Sequence, residues 1–344
     1  MFFPDMRVLH ITETFEGASG VATFVRKLDE RLNAQGIESS TMTAEGVWFD
    51  EKANYDIVHI HGLWLGIYHR VVQWARKKDI SIVWSTHGMT APWSMRYKWW
   101  KKLPAWWLYQ RRDLKSAGAI HCTTEQEVEW NRRLGFRNCF VAPLGTDEMP
   151  GDSLEERDKK VLLFVGRIHP VKGLENLIRA WGKAIGDKPN DASRWQLRIV
   201  GPDEAGHLAF LSVLVSDLGL EDNVEFPGAK FGEELSAEYE NCDCLVLPSF
   251  TENFGATVID ALAHGKPCIA STFTPWKELQ ERGCGWWVSN EPTQLAQAIS
   301  EMMEVGDDLR HEMGKRGTVL VKEKYTWTAV AERMIEAYQG LLSH

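Results

Sequence analysis

Two successive series of short β-branched apolar runs, each followed by a helical pattern, constrain the fold of this chain more than any other feature. The first series opens with Val8-Leu9-His10-Ile11-Thr12. It continues through Asp56-Ile57-Val58-His59-Ile60, Ser81-Ile82-Val83-Trp84-Ser85, Ala119-Ile120-His121-Cys122 and Phe140-Val141-Ala142-Pro143. After the first run, Phe24, Val25, Leu28 and Leu32 recur at helical spacing, and Gly36 closes that pattern. Pro143, Gly145, Pro150 and Gly151 then cluster before a charged stretch at 155–160, which reads as an interdomain linker. The second series follows: Val161-Leu162-Leu163-Phe164-Val165, Leu197-Arg198-Ile199-Val200, Val224-Glu225-Phe226, Cys244-Leu245-Val246-Leu247 and Cys268-Ile269-Ala270. Strands alternating with helices predict an α/β fold of two βαβ domains with parallel sheets. The boundaries read as 1–150 and 151–325, with 326–344 a terminal helix that packs back onto the first domain. In such sheets ligands bind beyond the carboxyl ends of the strands, so the loops after each run are where chemistry is expected.

Charge narrows the ligand. Residues 1–150 carry 19 basic and 17 acidic side chains, and the remainder carries 20 and 31. An acidic second half lacks the basic footprint of a nucleic-acid binder, so no nucleic acid is expected as a partner. Any anionic ligand there needs locally placed cations. The six cysteines include no C-x-x-C pair, and several lie in apolar runs where a reduced thiol packs as a small hydrophobe. Asp5 and Arg7 interrupt the apolar start, and no run is long enough to span a bilayer. A cytoplasmic location follows as the expectation.

Four loops can carry chemistry. Gly17-Ala18-Ser19-Gly20 leads into the first helix and suits close approach of a phosphate, although alone it reads first as a plain strand-to-helix turn. His87-Gly88 ends the third run, where an imidazole can enter a ligand site or serve as a hydrogen-bonded structural group. Gly166-Arg167-Ile168-His169-Pro170-Val171-Lys172-Gly173 sets two cations around a turn between strand and helix, suited to phosphate oxygens. The fourth loop, Pro248 to Gly265, holds Glu252, a glycine at a helix start (Gly255) and Asp260 within that helix. Helix N–H groups there can hold a phosphate while acidic side chains accept hydroxyls on either side. A nucleotide-sugar presents that pattern; an ordinary acidic surface turn is the plain alternative.

In their order and domain placement these segments resemble the retaining nucleotide-sugar-dependent glycosyltransferases of the GT-B fold, of the group 1 type. The resemblance covers nearly the whole chain. It includes Ser19-Gly20, His87-Gly88, Gly166 to Gly173, the acidic motif with Gly265-x-Pro267 after it, and Tyr325-Thr326-Trp327. It implies two Rossmann-like domains with parallel sheets facing an interdomain cleft, the first binding acceptor and the second the donor. The implied reaction moves a hexose, with retention, from a UDP- or GDP-sugar to a saccharide or lipid-linked saccharide, in cell-surface polysaccharide synthesis. Arg167 and Lys172 would bind the diphosphate and Glu252 the sugar hydroxyls. The backbone at Asn253, Phe254, Gly255 and Ala256 would hold sugar and phosphate oxygens, and Asp260 would accept the ribose hydroxyls. Ser19 and Gly20 would close on the diphosphate, His87 would sit beside the donor sugar, and base contacts would come from near Gly228-Ala229-Lys230. No metal and no cofactor beyond the donor substrate is implied. The family pattern commonly ends in Glu, and Asp260 is one methylene shorter, which predicts retained binding with altered nucleotide preference.

Five of the 16 tryptophans fall between 93 and 107. There Lys98, Trp99, Trp100, Lys101, Lys102, Trp106 and Trp107 mix bulky aromatics with cations, the composition of a helix lying on an anionic membrane interface or at the acceptor side. The expectation is a peripheral protein on the inner face of the cell membrane, with a core-packed helical hairpin as the alternative. Three other functions compete: a metal-dependent hydrolase using His59 and His61, on one face of a strand, a non-catalytic GT-B partner subunit, and a phosphorylase or epimerase of the same fold acting on related substrates.

Overall fold

The computed structural model describes residues 6–15, 20–46, 54–149, 159–187, 194–204 and 206–343. The chain divides into two units, Met1–Gly145 with Tyr325–His344, and Thr146–Lys324. Both are α/β, and each is built on a six-stranded sheet in which every pairing is parallel.

The first sheet comprises β1 (Arg7–Thr12), β2 (Glu38–Thr43), β3 (Ile57–His61), β4 (Ser81–Ser85), β5 (Ala119–Cys122) and β6 (Cys139–Val141), in the order β2-β1-β3-β4-β5-β6. The second comprises β7 (Lys160–Val165), β8 (Trp195–Val200), β9 (Val224–Gly228), β10 (Cys244–Leu247), β11 (Cys268–Ser271) and β12 (Gly285–Val288), in the order β12-β11-β10-β7-β8-β9. Each order reverses direction once, between β1 and β3 and between β7 and β10. Such switch points open a crevice at the carboxyl ends of the strands.

Two strands fall outside the β-branched apolar runs picked out in the sequence. β2 reads Glu-Ser-Ser-Thr-Met-Thr and β12 reads Gly-Trp-Trp-Val, and each sits at a sheet edge with no residue fully buried. An edge strand is not covered like a central one, so it needs no continuous hydrophobic stretch.

The Trp327–Leu342 helix belongs to the first unit. Thr326 caps it by accepting from the Ala329 N–H, and Trp327, Val330, Ala331, Met334 and Tyr338 pack against Val8, Phe24, Leu28 and Val83. The tryptophan-rich segment folds as short helices over Pro92–Arg96, Trp99–Ala105 and Arg111–Ser116, with a π-helical turn at Trp106–Gln110. Among the described residues, no helix is long and apolar enough to cross a membrane.

Candidate functional site

In the second unit the loops after β7 and β10 meet at the switch point, and glycine makes the meeting possible. Gly173 adopts φ +71°, and a Cβ there would stand 2.2 Å from the Pro248 carbonyl oxygen. The Phe250 N–H donates to the Val171 carbonyl at 2.9 Å, sewing the two loops together. Asn290 Nδ2 donates to the Pro248 carbonyl at 3.2 Å and steadies the same corner. This backbone contact brings Lys172 Nζ to 2.8 Å from Glu252 Oε2, with both side chains largely buried.

Gly255, at φ +84°, precedes the Ala256–Ala263 helix. A Cβ at Gly255 would lie 2.8 Å from Leu247 Cδ2 and 3.0 Å from Trp276 Nε1. Trp276 Nε1–H in turn donates to the Phe254 carbonyl at 2.6 Å, and its ring meets Phe254 edge-on. The helix thus starts beside Glu252, and the N–H groups of its first turn have no acceptor within the helix. Asp260 lies one turn further in and is half-buried. Its Oδ1 accepts from Thr146 Oγ1 at 2.8 Å. Burial pushes its carboxyl up to about 6, against the Thr146 hydroxyl, with the Asp147 charge adding to the rise.

The two cations of the Gly166–Gly173 segment do not share a partner. Arg167 is exposed and pairs with Glu204, beyond β8, at 2.6 Å, whereas Lys172 pairs with Glu252. Glu204 carries no local signal in the sequence. Lys230, beside the segment expected near the base, lies 3.6 Å from Glu234.

In the first unit, Gly20 begins the Gly20–Ala34 helix, while Ser19 lies outside the described residues. His87 follows β4 in a left-handed conformation, φ +46°, and Gly88 continues it at φ +73°. Glu127, fully buried on the Glu125–Arg133 helix, holds this turn. Its Oε1 accepts from Thr86 Oγ1 at 2.6 Å and from the Gly88 N–H at 2.5 Å. Its Oε2 accepts from the Thr123 N–H at 2.8 Å and the Thr123 hydroxyl at 3.0 Å. Four donors satisfy a carboxylate that burial would otherwise penalise.

Behind His87 lies a buried layer of histidines. Parallel register sets His10 beside His59, His61 beside Ser85, and Ser85 beside His121. One chain of bonds has a determined polarity. The Ala142 carbonyl only accepts, so His121 Nε2 carries a proton and donates to it at 2.7 Å. His121 Nδ1 is then an acceptor, and Ser85 Oγ–H donates to it at 2.6 Å. Ser85 Oγ accepts from His59 Nε2–H at 2.6 Å, and Tyr338 OH donates to His59 Nδ1 at 2.6 Å. A second row runs from His10 Nδ1 to His61 Nε2 at 2.9 Å, and from His61 Nδ1 to His87 Nε2 at 3.1 Å. Burial holds His10 and His87 at about 3, and His59 and His61 well below the usual imidazole range, with neighbouring imidazoles adding to each. Burial also lowers His121, against the Ala142 carbonyl bond.

His10, His59 and His61 offer ring nitrogens within 4.8 Å of one another. Both nitrogens of His59 and both of His61 already serve hydrogen bonds, so a metal ion would have to break these rows to bind. The sequence held a signal for the layer: β1, β3 and β5 each carry a histidine within an otherwise apolar run.

The tryptophan segment divides in two. Trp106 packs on Trp64 and Phe136, and Lys102 donates to the Ser94 carbonyl and lies 5.4 Å from the Trp64 ring. Tyr109 OH donates to the Trp64 carbonyl, and Gln110 Oε1 accepts the Trp64 N–H, which ties the segment to the loop after β3. Trp99, Trp100 and Trp107 are instead 55%, 59% and 69% exposed, and Lys98 and Lys101 are exposed beside them.

Residues 146–320 match the family model described as "Glycosyl transferases group 1", and residues 40–145 match a "Glycosyl transferase 4-like domain". The chain is 30% identical over 190 residues to a D-inositol 3-phosphate glycosyltransferase of Thermobispora bispora, covering 54% of this chain and 44% of that protein. It is 28% identical over 331 residues to the protein of the same name in Corynebacterium jeikeium, covering 85% and 74%. The chain spans about half the length of the first curated relatives it matches. Among solved structures, it aligns with Anabaena HepE in complex with UDP at TM-score 0.77 and 15% identity, over 97% of this chain and 100% of that one. The sucrose-phosphate synthase of Thermosynechococcus elongatus aligns at TM-score 0.75 and 20% identity, over 98% and 99%. At these identities the structural matches establish the GT-B fold.

Proposed function

This chain belongs to the group 1 glycosyltransferases, and we propose that it transfers a hexose, with retention, from a UDP- or GDP-sugar to a saccharide or lipid-linked saccharide. The observation that carries this reading is the Lys172–Glu252 pair at the β7/β10 switch point, 2.8 Å apart and beside the start of the Ala256–Ala263 helix. A cation, an anion and a helix N-terminus converge there, which suits a diphosphate next to a polyhydroxy ring. Among relatives, D-inositol 3-phosphate glycosyltransferases and a UDP complex of HepE support a nucleotide-sugar donor.

In this reading Lys172 and Arg167 stabilise charge on the departing diphosphate, Arg167 first leaving Glu204. Glu252 accepts hydroxyls of the sugar, Asp260 accepts those of the ribose, and the backbone from Asn253 to Ala256 holds sugar and phosphate oxygens. Gly20, with Ser19 outside the described residues, is assigned to the diphosphate, and His87 to the donor sugar. The acceptor oxygen bonds to the anomeric carbon as the bond from that carbon to the phosphate oxygen breaks. The acceptor's proton passes to the departing phosphate on the same face. Two side-chain cations supply the charge, and the reading assigns no metal and no cofactor to the reaction.

The exposed Trp99, Trp100 and Trp107, with Lys98 and Lys101, support a second part of the proposal: peripheral attachment to an anionic membrane, the setting of lipid-linked polysaccharide synthesis in the cytoplasm. Each basic side chain near such a surface adds about 1 kcal/mol.

The test uses the full chain with UDP- and GDP-hexoses. Lys172→Ala and Glu252→Ala should each lower transfer by about 10²-fold or more, the scale of losing one charge-stabilising group, and EDTA should leave the rate unchanged. Wild-type rates in both variants would remove the reading. Flotation with phosphatidylserine vesicles tests the membrane part, and equal recovery of wild type and Trp99→Ala/Trp100→Ala/Trp107→Ala would remove it.

A further inference from the structure

The row His10–His61–His87 differs from the row that ends on the Ala142 carbonyl, because no obligate acceptor sets its direction. Each bond between two neutral imidazoles holds one proton, so all protons in the row point one way. In one arrangement His10 Nδ1–H donates to His61 Nε2, His61 Nδ1–H donates to His87 Nε2, and His87 keeps its own proton on Nδ1. In the reverse arrangement His87 Nε2–H donates inward, and the row ends in an N–H at His10 Nε2.

His10 Nε2 decides between them. It is buried and, among the described residues, has no hydrogen-bond partner. An orphaned N–H in a protein interior is rarer than an acceptor left short of a partner. The first arrangement leaves only a lone pair at His10 Nε2; the reverse strands a donor there. The ring planes are held as well. His59 stacks on His61 with centroids 4.1 Å apart, and Phe24 meets His87 edge-on at 5.6 Å. Glu127 clamps the backbone on both sides of His87, through Thr86 Oγ1 and the Gly88 N–H.

We propose that His61, backed by His10, is a positioning residue that locks His87 as the Nδ1–H tautomer, so that His87 meets its ligand as a hydrogen-bond donor. His87 is half-buried, and Nδ1 is the nitrogen that the row leaves over. A protonated Nδ1 cannot take the proton of an acceptor hydroxyl; it can donate to an oxygen of the sugar or phosphate. The inference rests on the donor-sugar reading of His87 above.

The full chain, with histidine rings labelled with ¹⁵N, gives a readout independent of turnover. At neutral pH the His87 signals, assigned by their loss in His87→Ala, should show a protonated Nδ1 and a bare Nε2. His61→Asn places an amide N–H where Nδ1 stood and should preserve that pattern. His61→Asp presents an acceptor and should move the His87 proton to Nε2. With UDP- or GDP-hexose, His61→Asn should retain kcat within about threefold, whereas His61→Asp should lose about 10²-fold, the scale of removing one oriented donor. His61→Leu should fall with the Asp variant, and thermal melts show which variants are folded. A wild-type His87 carrying its proton on Nε2 overturns the proposal. Equal rates in the Asn and Asp variants, despite different tautomers, also overturn it. A wild-type chain that transfers no sugar removes the functional reading but leaves the tautomer result standing.

Discussion

Gly173 lies against the Pro248 carbonyl so closely that a Cβ on Gly173 would stand 2.2 Å from that oxygen. The contact joins the loop after β7 to the loop after β10, and the Lys172–Glu252 pair follows from it. Gly173→Ala therefore meets two penalties, a left-handed φ costing about 1–2 kcal/mol and a clash with backbone. The loops must separate, and misplacing reacting groups by about 1 Å can cost about 10²-fold in rate. The expected outcome is a lower melting temperature together with loss of transfer. An Ala variant with wild-type stability and rate would show that the contact positions nothing.

Asp260 shows the opposite balance between stability and use. Its folded carboxyl titrates at about 6, above the ordinary 3.8, chiefly because of burial. Between these values the folded state holds the extra proton. The charged form is thus a cost at neutral pH, relieved as pH falls through 6. Asp260→Asn keeps an acceptor for Thr146 and removes the charge. It should stabilise the protein by about 1 kcal/mol, as substitutions at functional sites often do, while weakening nucleotide binding. Denaturant titration and nucleotide binding measured together check this; a less stable variant with unchanged binding contradicts it.

The histidine layer predicts acid lability. His10, His59, His61, His87 and His121 are all lowered from 6.5 in the folded state, mainly by burial. Above 6.5 both states are neutral and pH has no effect through these groups. As pH falls below 6.5 the unfolded chain takes up protons that the folded one refuses until about 3, the folded value for His10 and His87. Stability is lost throughout that window, at up to about 1.4 kcal/mol per pH unit for each such group. Urea midpoints measured from pH 7 to pH 5 should drop steeply. Replacing His10 and His61 by Leu and Asn should flatten the slope, and a pH-independent midpoint in wild type would rule the effect out.

Glu127 holds the His87 turn through Thr86 Oγ1 and the Gly88 N–H, and is itself anchored by two donors of Thr123. Glu127→Gln replaces one acceptor oxygen by an amide that points a donor at donors. A hydrogen bond to a charged group contributes about 1.5–3 kcal/mol, and the stranded donors add to the loss. The variant should be destabilised by at least that range, and its His87 ring signals should broaden or shift. Unchanged stability and spectra would remove Glu127 from the support of His87.

Much of the fold was legible. The strand runs from Val8 to Ala270 announced ten of the twelve described strands, most of them central parallel strands, which are buried on both faces and write continuous apolar stretches. β2 and β12 lie at edges, where no such pattern is imposed; the other two edge strands, β6 and β9, still carry short apolar runs. Lys172, Glu252 and Asp260 could be marked as candidates from their place after strands. Arg167 could be marked too, but not its pairing with Glu204, 37 residues away. Glu127, His61 and Tyr338 act on His87 or His59 across separations of 26 to 279 residues, and nothing local signals such partners.

The amino-acid order by itself therefore determined the two α/β series, the loops at the strand ends and the residue types able to meet a nucleotide-sugar. Periodicity and glycine placement are local properties, and a linear chain records them. Tertiary structure alone decided which charges pair, which backbone oxygen forbids a side chain at Gly173, and which histidine nitrogens hold protons. Those outcomes depend on distances of about 3 Å between distant segments and on the absence of water around them. Parallel register sets those distances when the strands align, and one carbonyl, at Ala142, then fixes the proton positions from His121 back to Tyr338.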